Sequence, residues 1–436
     1  MDRNRTVSLC LIVKDEARVL ARCLTSFKDV VNEICILDTG SSDETVAIAE
    51  SFGAKVKFFD WHDHFSEARN RNLEMATMNW IMVVDADEYL RSDDIPALKQ
   101  AFMRYDRDGF AVKLFNFSRE GTPYYIAHLS QRIFKNMGDF RYEGVVNEQL
   151  MHLGKPVKFE TLDVGFYHTG NLRKERLLKE KSKRHLALLK KSFEEDGLSL
   201  FQLFNLANEI SHDPKKYQEA IDLYQLIYEE GNLKADFMPK LMMFRVLAFI
   251  REGLWENALA AIEQGLSVFP DFTDLVYQRG VIERKKGLIL KSIQSFKLCL
   301  AMGKPRPELE FSNVSHVYGP MYHLAELMRQ QEHFKEAFDY YQECWLLDHS
   351  HDQLLSPIFD CLMGMKFPYQ EIVVKMKRFF NLHNDLNRVA YINLLLEKAF
   401  YEEAIDFLRN DGIWQAKEKQ QQLLIKAQAG LAKFEG

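Results

Sequence analysis

The chemistry of this chain is concentrated in the run Trp80-Ile-Met-Val-Val-Asp85-Ala-Asp87-Glu88, where a stretch suited to a buried strand ends abruptly in carboxylates. Side chains at i and i+2 of an extended segment lie on the same side, so Asp85 and Asp87 are expected to converge on one divalent cation. Open α/β sheets bind ligands at the carboxyl ends of their strands, which makes this a site for a metal and a phosphorylated substrate. A cluster further back, His62-Asp63-His64, lacks a third soft ligand at suitable spacing and reads as a loop feature rather than a zinc site.

These residues need a scaffold, and the first 170 residues provide one. Short β-branched runs at 7–13, 34–38, 55–59 and 81–85 alternate with helical patterns at 17–28, 43–51, 67–76 and 93–104. Such alternation implies right-handed βαβ crossovers and a largely parallel sheet covered on both faces. Further strand-like segments at 110–117, 131–135 and 156–168 follow in a less regular order, and an added mixed sheet is expected there.

Composition limits the partners. At 436 residues and 47% hydrophobic, the chain is long enough for two or three domains with proper cores. A net charge of −6, without a basic stripe interleaved with aromatics, gives no reason to expect nucleic acid. Cys10, Cys23, Cys35, Cys299, Cys344 and Cys361 are scattered without a CxxC pair, and read as reduced packing residues of a cytoplasmic protein. No secretory pattern precedes the first strand and no window offers about 20 uninterrupted apolar residues, so no membrane association is expected.

Past Leu172 almost everything reads as helix. Residues 173–191 carry nine Lys and Arg, a basic connecting helix with a solvated face or an auxiliary phosphate or peptide contact. A repeat follows: Tyr217-Gln-Glu-Ala220, Trp255-Glu-Asn-Ala258, Leu290-Lys-Ser292, Phe334-Lys-Glu-Ala337 and Tyr401-Glu-Glu-Ala404. Ala258 and Ser292 are 34 residues apart, the tetratricopeptide period, and the small residue marks the close approach of two antiparallel helices. The steps of 38 from Ala220 to Ala258 and 45 from Ser292 to Ala337 are irregular, so the array is degenerate.

Four motifs now come in order: Leu11-Ile-Val13-Lys-Asp15-Glu16, Ile36-Leu37-Asp38-Thr39-Gly40-Ser41-Ser42-Asp43, Phe65-Ser-Glu-Ala-Arg69-Asn70 and Val84-Asp85-Ala86-Asp87-Glu88. In this order and spacing they resemble the inverting family 2 glycosyltransferases of the GT-A fold, over about residues 6–170. With the helical tail, the chain looks most similar to the peptide S-glycosyltransferases that modify a cysteine of sublancin-type bacteriocins (glycocins). The fold so implied is an α/β nucleotide-diphospho-sugar transferase (GT-A) domain over residues 1–171 and a connecting helix over 172–198. An all-α tetratricopeptide-like solenoid follows over 199–350, with further helical repeats over 351–436.

The resemblance assigns roles. Asp85 and Asp87 would hold Mg²⁺ or Mn²⁺ against the diphosphate of a UDP-sugar, with Asp87 also counted as catalytic. Asp38 would accept the uracil N3–H or a ribose hydroxyl, the alternative being an ordinary Asp-Thr-Gly turn; the second aspartate often seen there is Thr39 in this chain. Val13, Asp15 and Glu16 would cradle the base, more by backbone than by side chain. Arg69 and Asn70 are assigned to the donor, although an arginine on an amphipathic helix is as readily solvated. The segments His128 to Phe134 and Phe140 to Glu148 look like the acceptor side, with Asn147 where relatives often carry histidine. Glu148 is then the expected base and Glu143 its alternative. His168, ending the last strand, would complete the metal sphere or merely cap the strand.

The function so implied is transfer of a hexose, glucose being the best fit, from a UDP-sugar to a Cys or Ser side chain of a small precursor peptide, by single displacement with inversion. The repeats would hold the peptide or a second copy of the chain as a homodimer. A transferase acting on a cell-envelope glycan and a non-catalytic tetratricopeptide scaffold are the competing readings.

Overall fold

The computed structural model describes residues 5–104, 106–117, 124–145, 147–157, 159–168, 186–189, 199–349, 352–380, 382–410 and 414–435. Most of the expected basic connecting helix at 172–198 lies outside the described residues. Two compact units divide the chain, Met1–Val317 and Tyr318–Gly436.

In the first unit an 8-stranded sheet has the order β3-β2-β1-β4-β7-β6-β11-β5. The parallel half consists of β1 (Val7–Val13), β2 (Glu33–Asp38), β3 (Lys55–Phe58) and β4 (Trp80–Val83). The connecting helices are α1 (Ala17–Phe27), α2 (Thr45–Ser51) and α3 (Phe65–Leu73). Strand β1 is buried on both faces. Its Leu9 and Leu11 join Leu20, Phe27, Trp80 and Phe166 on one side, while Cys10 joins Cys35, Leu37, Ile81 and Phe134 on the other. Two-sided burial is what parallel strands packed between helices require. Helix α1 meets its side with Leu20, Cys23, Leu24 and Phe27, the spacing of one helical face.

The less regular segments do not form a separate large sheet. Strand β5 (Glu88–Leu90) is a short edge, helix α4 (Ile95–Ala101) follows, and β6 (Gly109–Phe117) forms a long hairpin with β7 (Tyr125–Lys135). Strand β7 runs antiparallel to β4 and so extends the parallel half directly. A 3-stranded sheet of β8 (Phe140–Glu143), β9 (Gln149–His152) and β10 (Lys155–Pro156) lies apart, and β11 (Glu160–His168) returns between β6 and β5.

Helices α5 (Leu200–Ile210), α6 (Tyr217–Glu230), α7 (Met238–Arg251), α8 (Trp255–Val268), α9 (Thr273–Lys285) and α10 (Ile289–Met302) complete this unit. Ser199 and Gln202 start α5 with a reciprocal capping box. The small residues of the repeat, Ala220, Ala258 and Ser292, are fully buried where paired helices touch. Ser292 donates from Oγ to the Gly280 carbonyl at 2.9 Å, and a Cβ at Gly280 would come 2.8 Å from the Phe296 ring.

After α10 the chain folds back onto the 8-stranded sheet. Ala127 N–H donates to the Phe311 carbonyl and Tyr125 N–H to Asn313 Oδ1, both at 2.9 Å, with an antiparallel bridge between Ile126 and Ser312. Glu310 receives the Tyr125 hydroxyl at 2.8 Å and lies 3.4 Å from the buried Lys113 ammonium. From α9, Asp274 accepts from Ser315 Oγ at 2.7 Å and from Ser312 N–H at 3.0 Å. The boundaries expected at 171, 198 and 350 lie outside the described residues, and the first compact unit runs to Val317, just past these ties.

The second unit contains α11 (Tyr318–Gln330), α12 (Phe334–Leu347), α13 (Leu355–Gly364), α14 (Tyr369–Lys377), α15 (Asp385–Glu397), α16 (Tyr401–Asn410) and α17 (Lys417–Glu435). Ala337 and Ala404 repeat the buried small positions, and Gly364 admits the Phe334 ring. No helix among the described residues is long and apolar enough to cross a membrane.

Candidate active site

The site lies at the carboxyl ends of β1, β2 and β4, as the sheet topology demands. At the end of β2, Asp38 Oδ1 accepts the backbone N–H groups of Gly40 and Ser41 at 2.9 Å each, a turn that Gly40 closes with φ 100°. The other oxygen, Oδ2, is buried and has no hydrogen-bond partner. A buried carboxylate oxygen without a donor is costly unless a ligand supplies one.

The β1 turn offers shape more than free backbone groups. The Val13 carbonyl accepts from both Thr39 N–H and Thr39 Oγ1, Asp15 N–H donates to Ser41 Oγ, and Glu16 N–H to Thr45 Oγ1. Asp15, with φ 53°, also accepts from Ser42 N–H at 2.7 Å. The backbone cradle expected of Val13, Asp15 and Glu16 is therefore already bonded within the protein at these atoms, and Thr39 fastens β1 to β2.

The carboxylates after β4 depart from the extended geometry read from sequence. The strand stops at Val83, and Asp85 to Glu88 form a turn in which Glu88 N–H donates to the Asp85 carbonyl at 3.0 Å. Asp85 and Asp87 consequently have different partners. Asp85 Oδ1 takes Arg69 Nη2 at 2.7 Å and its Oδ2 takes Arg132 Nη2 at 2.9 Å. Arg132 Nη2 also donates to Glu88 Oε1 at 2.8 Å, and Arg69 Nε to Glu148 Oε1. Burial alone would raise the Asp85 carboxyl, but Arg132 and Arg69 outweigh it and hold it well below the usual range. Burial pushes Glu88 up to about 7; Arg132 opposes the rise and the Asp85 charge adds to it.

A register detail aims Arg132. Phe110 pairs with Ile133 but Ala111 pairs with Gln131, so Arg132 is the extra residue of a β-bulge in β7. Bulges redirect a side chain beside a site, and here the guanidinium reaches Asp85 and Glu88. Arg69 Nη1 and Arg132 Nε stay buried without partners, leaving N–H donors in the site. Asn70 behaves differently from the expectation. Its Nδ2 donates to the Tyr142 carbonyl at 2.9 Å and its Oδ1 accepts Tyr142 N–H at 2.8 Å, so it fastens β8 to α3 and positions its neighbour Arg69.

Asp87 turns the other way. His168 is the register partner of Glu88 on β5 and of Asn116 on β6, and residues in register share a face. His168 Nε2 lies 3.1 Å from Asp87 Oδ2, and its Nδ1 lies 2.8 Å from Asn116 Oδ1. Asn116 Nδ2 reaches His128 Nδ1 at 3.2 Å. This amide orientation makes His168 Nδ1 a donor and His128 Nδ1 an acceptor. Burial first, then the charges of Lys240 and Arg132, hold His128 well below its ordinary value, consistent with a neutral ring.

No group of three or more His, Cys, Asp or Glu side chains converges to hold a metal among the described residues. Asp85, Asp87 and His168 are thus not assembled as one triad, Asp85 being held by the two arginines. Asp87 and His168 do fit: with Nδ1–H given to Asn116, Nε2 presents its lone pair to a carboxylate oxygen, and either a proton or a cation must lie between them. A carboxylate with a neutral imidazole suits Mn²⁺ and, less strongly, Mg²⁺.

Glu143, the alternative base, is exposed at the end of β8, whereas Glu148 is drawn into the site by Arg69. His64 caps α3 by accepting Glu67 N–H at 3.2 Å, a structural task for the His62 to His64 cluster. Sequence reasoning missed Asn116 and the roles of Arg132, Glu88 and His128. A bulge and a cross-strand row leave no local pattern.

The glycosyl transferase family 2 model matches residues 8–158. The chain is 29% identical over 337 residues to a TPR repeat-containing protein of Synechococcus elongatus, covering 76% of this chain and 73% of that one. It is 27% identical over 289 residues to the SPbeta prophage-derived glycosyltransferase SunS of Bacillus subtilis, covering 64% and 66%. An uncharacterized glycosyltransferase of Rickettsia felis is 33% identical over 104 residues, 24% of this chain and 36% of that one. Residues 8–158 thus match glycosyl transferase family 2, within a chain that has a GT-A-like sheet followed by a tetratricopeptide-type helical region and whose relatives include glycosyltransferases.

Proposed function

We propose that the chain moves a hexose, glucose being the best fit, from a UDP-sugar to a Cys or Ser side chain of a small peptide. The observation that carries the donor half is Asp38, whose buried Oδ2 has no partner at the end of β2. A uracil N3–H or ribose hydroxyl would supply the missing donor. The buried, unpartnered Arg69 Nη1 and Arg132 Nε suit the charge of a diphosphate. The acceptor half rests on the similarity to SunS along both regions of the chain.

Asp87 and His168 would hold Mg²⁺ or Mn²⁺, with Asp85 joining if an incoming diphosphate draws the arginines away. When bound, the ion would neutralise charge developing on the leaving diphosphate. Asn116 keeps the His168 ring in the tautomer that directs Nε2 at Asp87. Glu148, fixed by Arg69, is the residue proposed to take the acceptor proton, an inverting displacement needing one base on the acceptor side.

Release of UDP from UDP-glucose tests this reading, measured with Mg²⁺ or Mn²⁺, with and without a Cys-containing peptide, and in EDTA. Metal-dependent release stimulated by the peptide, with a hexose mass added to it, is expected. Full release in EDTA, or no mass gain on Cys or Ser peptides, would overturn it.

A further inference from the structure

The polar row that starts at Asp87 ends on a proton that the protein itself leaves unused. His168 Nε2 faces Asp87 Oδ2 at 3.1 Å, its Nδ1–H donates to Asn116 Oδ1 at 2.8 Å, and Asn116 Nδ2 donates to His128 Nδ1 at 3.2 Å. A neutral imidazole that accepts at Nδ1 carries its proton on Nε2. Asn116 thereby fixes both the tautomer of the His128 ring and the direction of its remaining N–H. That N–H has no partner among the described residues. It is not among the buried polar atoms that lack one, so water reaches it on a side chain that is otherwise half-buried.

The sheet order places this donor. Asp38 ends β2, and the order runs on through β1 to β4, whose following turn contains Asp85 and Asp87. Strands β7 and β6 come next, before β11, which brings His168 to Asp87. His128 on β7 and Asn116 on β6 therefore lie between the strand that leads into Asp85 and the strand that carries His168. Four residues along β7, Arg132 donates to Asp85 and Glu88.

We propose that His128 selects the sugar, its Nε2–H donating to one hydroxyl oxygen of the hexose carried by the nucleotide. This deepens the UDP-hexose reading above and rests on it. A diphosphate held by Arg69 and Arg132 lies beside β7, so the hexose is the part of the donor that comes within reach of His128. Phosphate oxygens are better served by Arg69 Nη1 and Arg132 Nε, which are charged, buried and unpartnered. A neutral imidazole suits an uncharged hydroxyl, and flipping the ring to offer an acceptor instead would break the bond to Asn116. A bound sugar without that hydroxyl would cover the N–H and leave it unpaired, which is the basis of the selection.

The test uses the full chain with Mn²⁺, UDP, UDP-glucose and the monodeoxy UDP-glucoses that each lack one hydroxyl of the sugar. Affinity is read by calorimetry without acceptor peptide. Wild type should bind one deoxy analogue about ten-fold more weakly than UDP-glucose, a difference of about 1.4 kcal/mol. His128→Phe should weaken UDP-glucose by that same factor while leaving the affinity for that analogue and for UDP unchanged, the non-additivity that marks a direct contact. His128→Gln, which keeps an acceptor for Asn116 but displaces the donor, decides the matter alone if the Phe variant does not fold. Its preference for UDP-glucose over that analogue should shrink while UDP affinity holds. The inference is overturned if every analogue binds like UDP-glucose, if the losses from substitution and from hydroxyl removal simply add, or if the variants weaken UDP itself. Those outcomes leave the donor reading standing, whereas wild type that binds neither UDP nor UDP-glucose would refute both.

Discussion

His168 Nε2 and Asp87 Oδ2 face each other at 3.1 Å because β5, β11 and β6 bring Glu88, His168 and Asn116 into one row. Asn116 fixes the ring by accepting from Nδ1 at 2.8 Å, the kind of outer hydrogen bond that orients a metal-bound imidazole. Asn116→Ala should therefore raise the Mn²⁺ concentration for half-maximal activity by about 10-fold or more while changing the melting temperature little. Unchanged Mn²⁺ dependence would mean that the row is structural.

The same pair makes metal use depend on pH. Burial lowers His168, but the hydrogen bond and charge of Asp87 outweigh it and raise the ring above its ordinary value. A proton and a metal compete for Nε2, so half-activating Mn²⁺ should climb as pH falls, by up to about ten-fold per unit for one proton. Without metal the sign is clear. A histidine raised on folding contributes stability that is complete below about pH 6.5 and is lost as pH rises through its folded value. The melting-temperature advantage of wild type over His168→Gln should shrink along that interval, and a constant difference would refute the pairing.

How far these residues could be read from sequence depends on whether a local pattern carries them. The buried β4, the helices between parallel strands and the Asp38 turn all follow from periodicity and turn chemistry, and the structure has them within a few residues. The Asp85 to Glu88 turn does not, because an apolar run reads as strand to its last residue while the chain turns as soon as arginines can meet the carboxylates. Arg132 depends on a bulge, and Asn116 on a cross-strand register with His168, 52 residues away. Each is a tertiary fact without a sequence period.

Glu33 should govern acid stability. Burial would raise it, but hydrogen bonds from Lys55, Ser8 and Thr77 bring it down to about 2. A carboxylate lowered on folding contributes stability present above its unfolded value, about 4.3, and lost as pH falls toward the folded one. Glu33→Gln should cost most stability above pH 5 and little near pH 2, as read by urea midpoints. A cost that persists undiminished at low pH would point to packing instead.

Asp274 should hold the loop that joins α10 to the catalytic sheet. It accepts from Ser312 N–H, Ser315 Oγ and, at 3.4 Å, Phe311 N–H, and burial pushes it up to about 7. Asp274→Ala should cost roughly 2–4 kcal/mol and open residues 305–317 to proteolysis, whereas Asp274→Asn, which keeps an acceptor, should cost less. Equal melting of both variants with wild type would show that the loop is held by Glu310 and Asn313 alone. Because Glu310 also meets the buried Lys113, truncation after residue 198 would leave that ammonium without one of its partners and would be a poor test of the catalytic domain.

The proton acceptor can be tested by comparing nucleophiles. Glu148 is held by Arg69 Nε, the same arginine that binds Asp85, so the proposed base and the donor carboxylates share one guanidinium. A free thiol, with a pKa of about 8.5, is already a few per cent ionised near neutrality, while a serine hydroxyl needs a positioned base throughout. Glu148→Gln keeps the shape of the side chain and removes its basicity. Transfer to a Ser peptide should then fall by roughly 100-fold or more, the usual contribution of a general base, and transfer to the matching Cys peptide by much less. Raising the pH toward 9 should restore the Cys reaction as thiolate accumulates and leave the Ser reaction slow. Equal losses on both peptides, unrelieved by pH, would show that Glu148 serves to position Arg69, and the search for the base would move to Glu143.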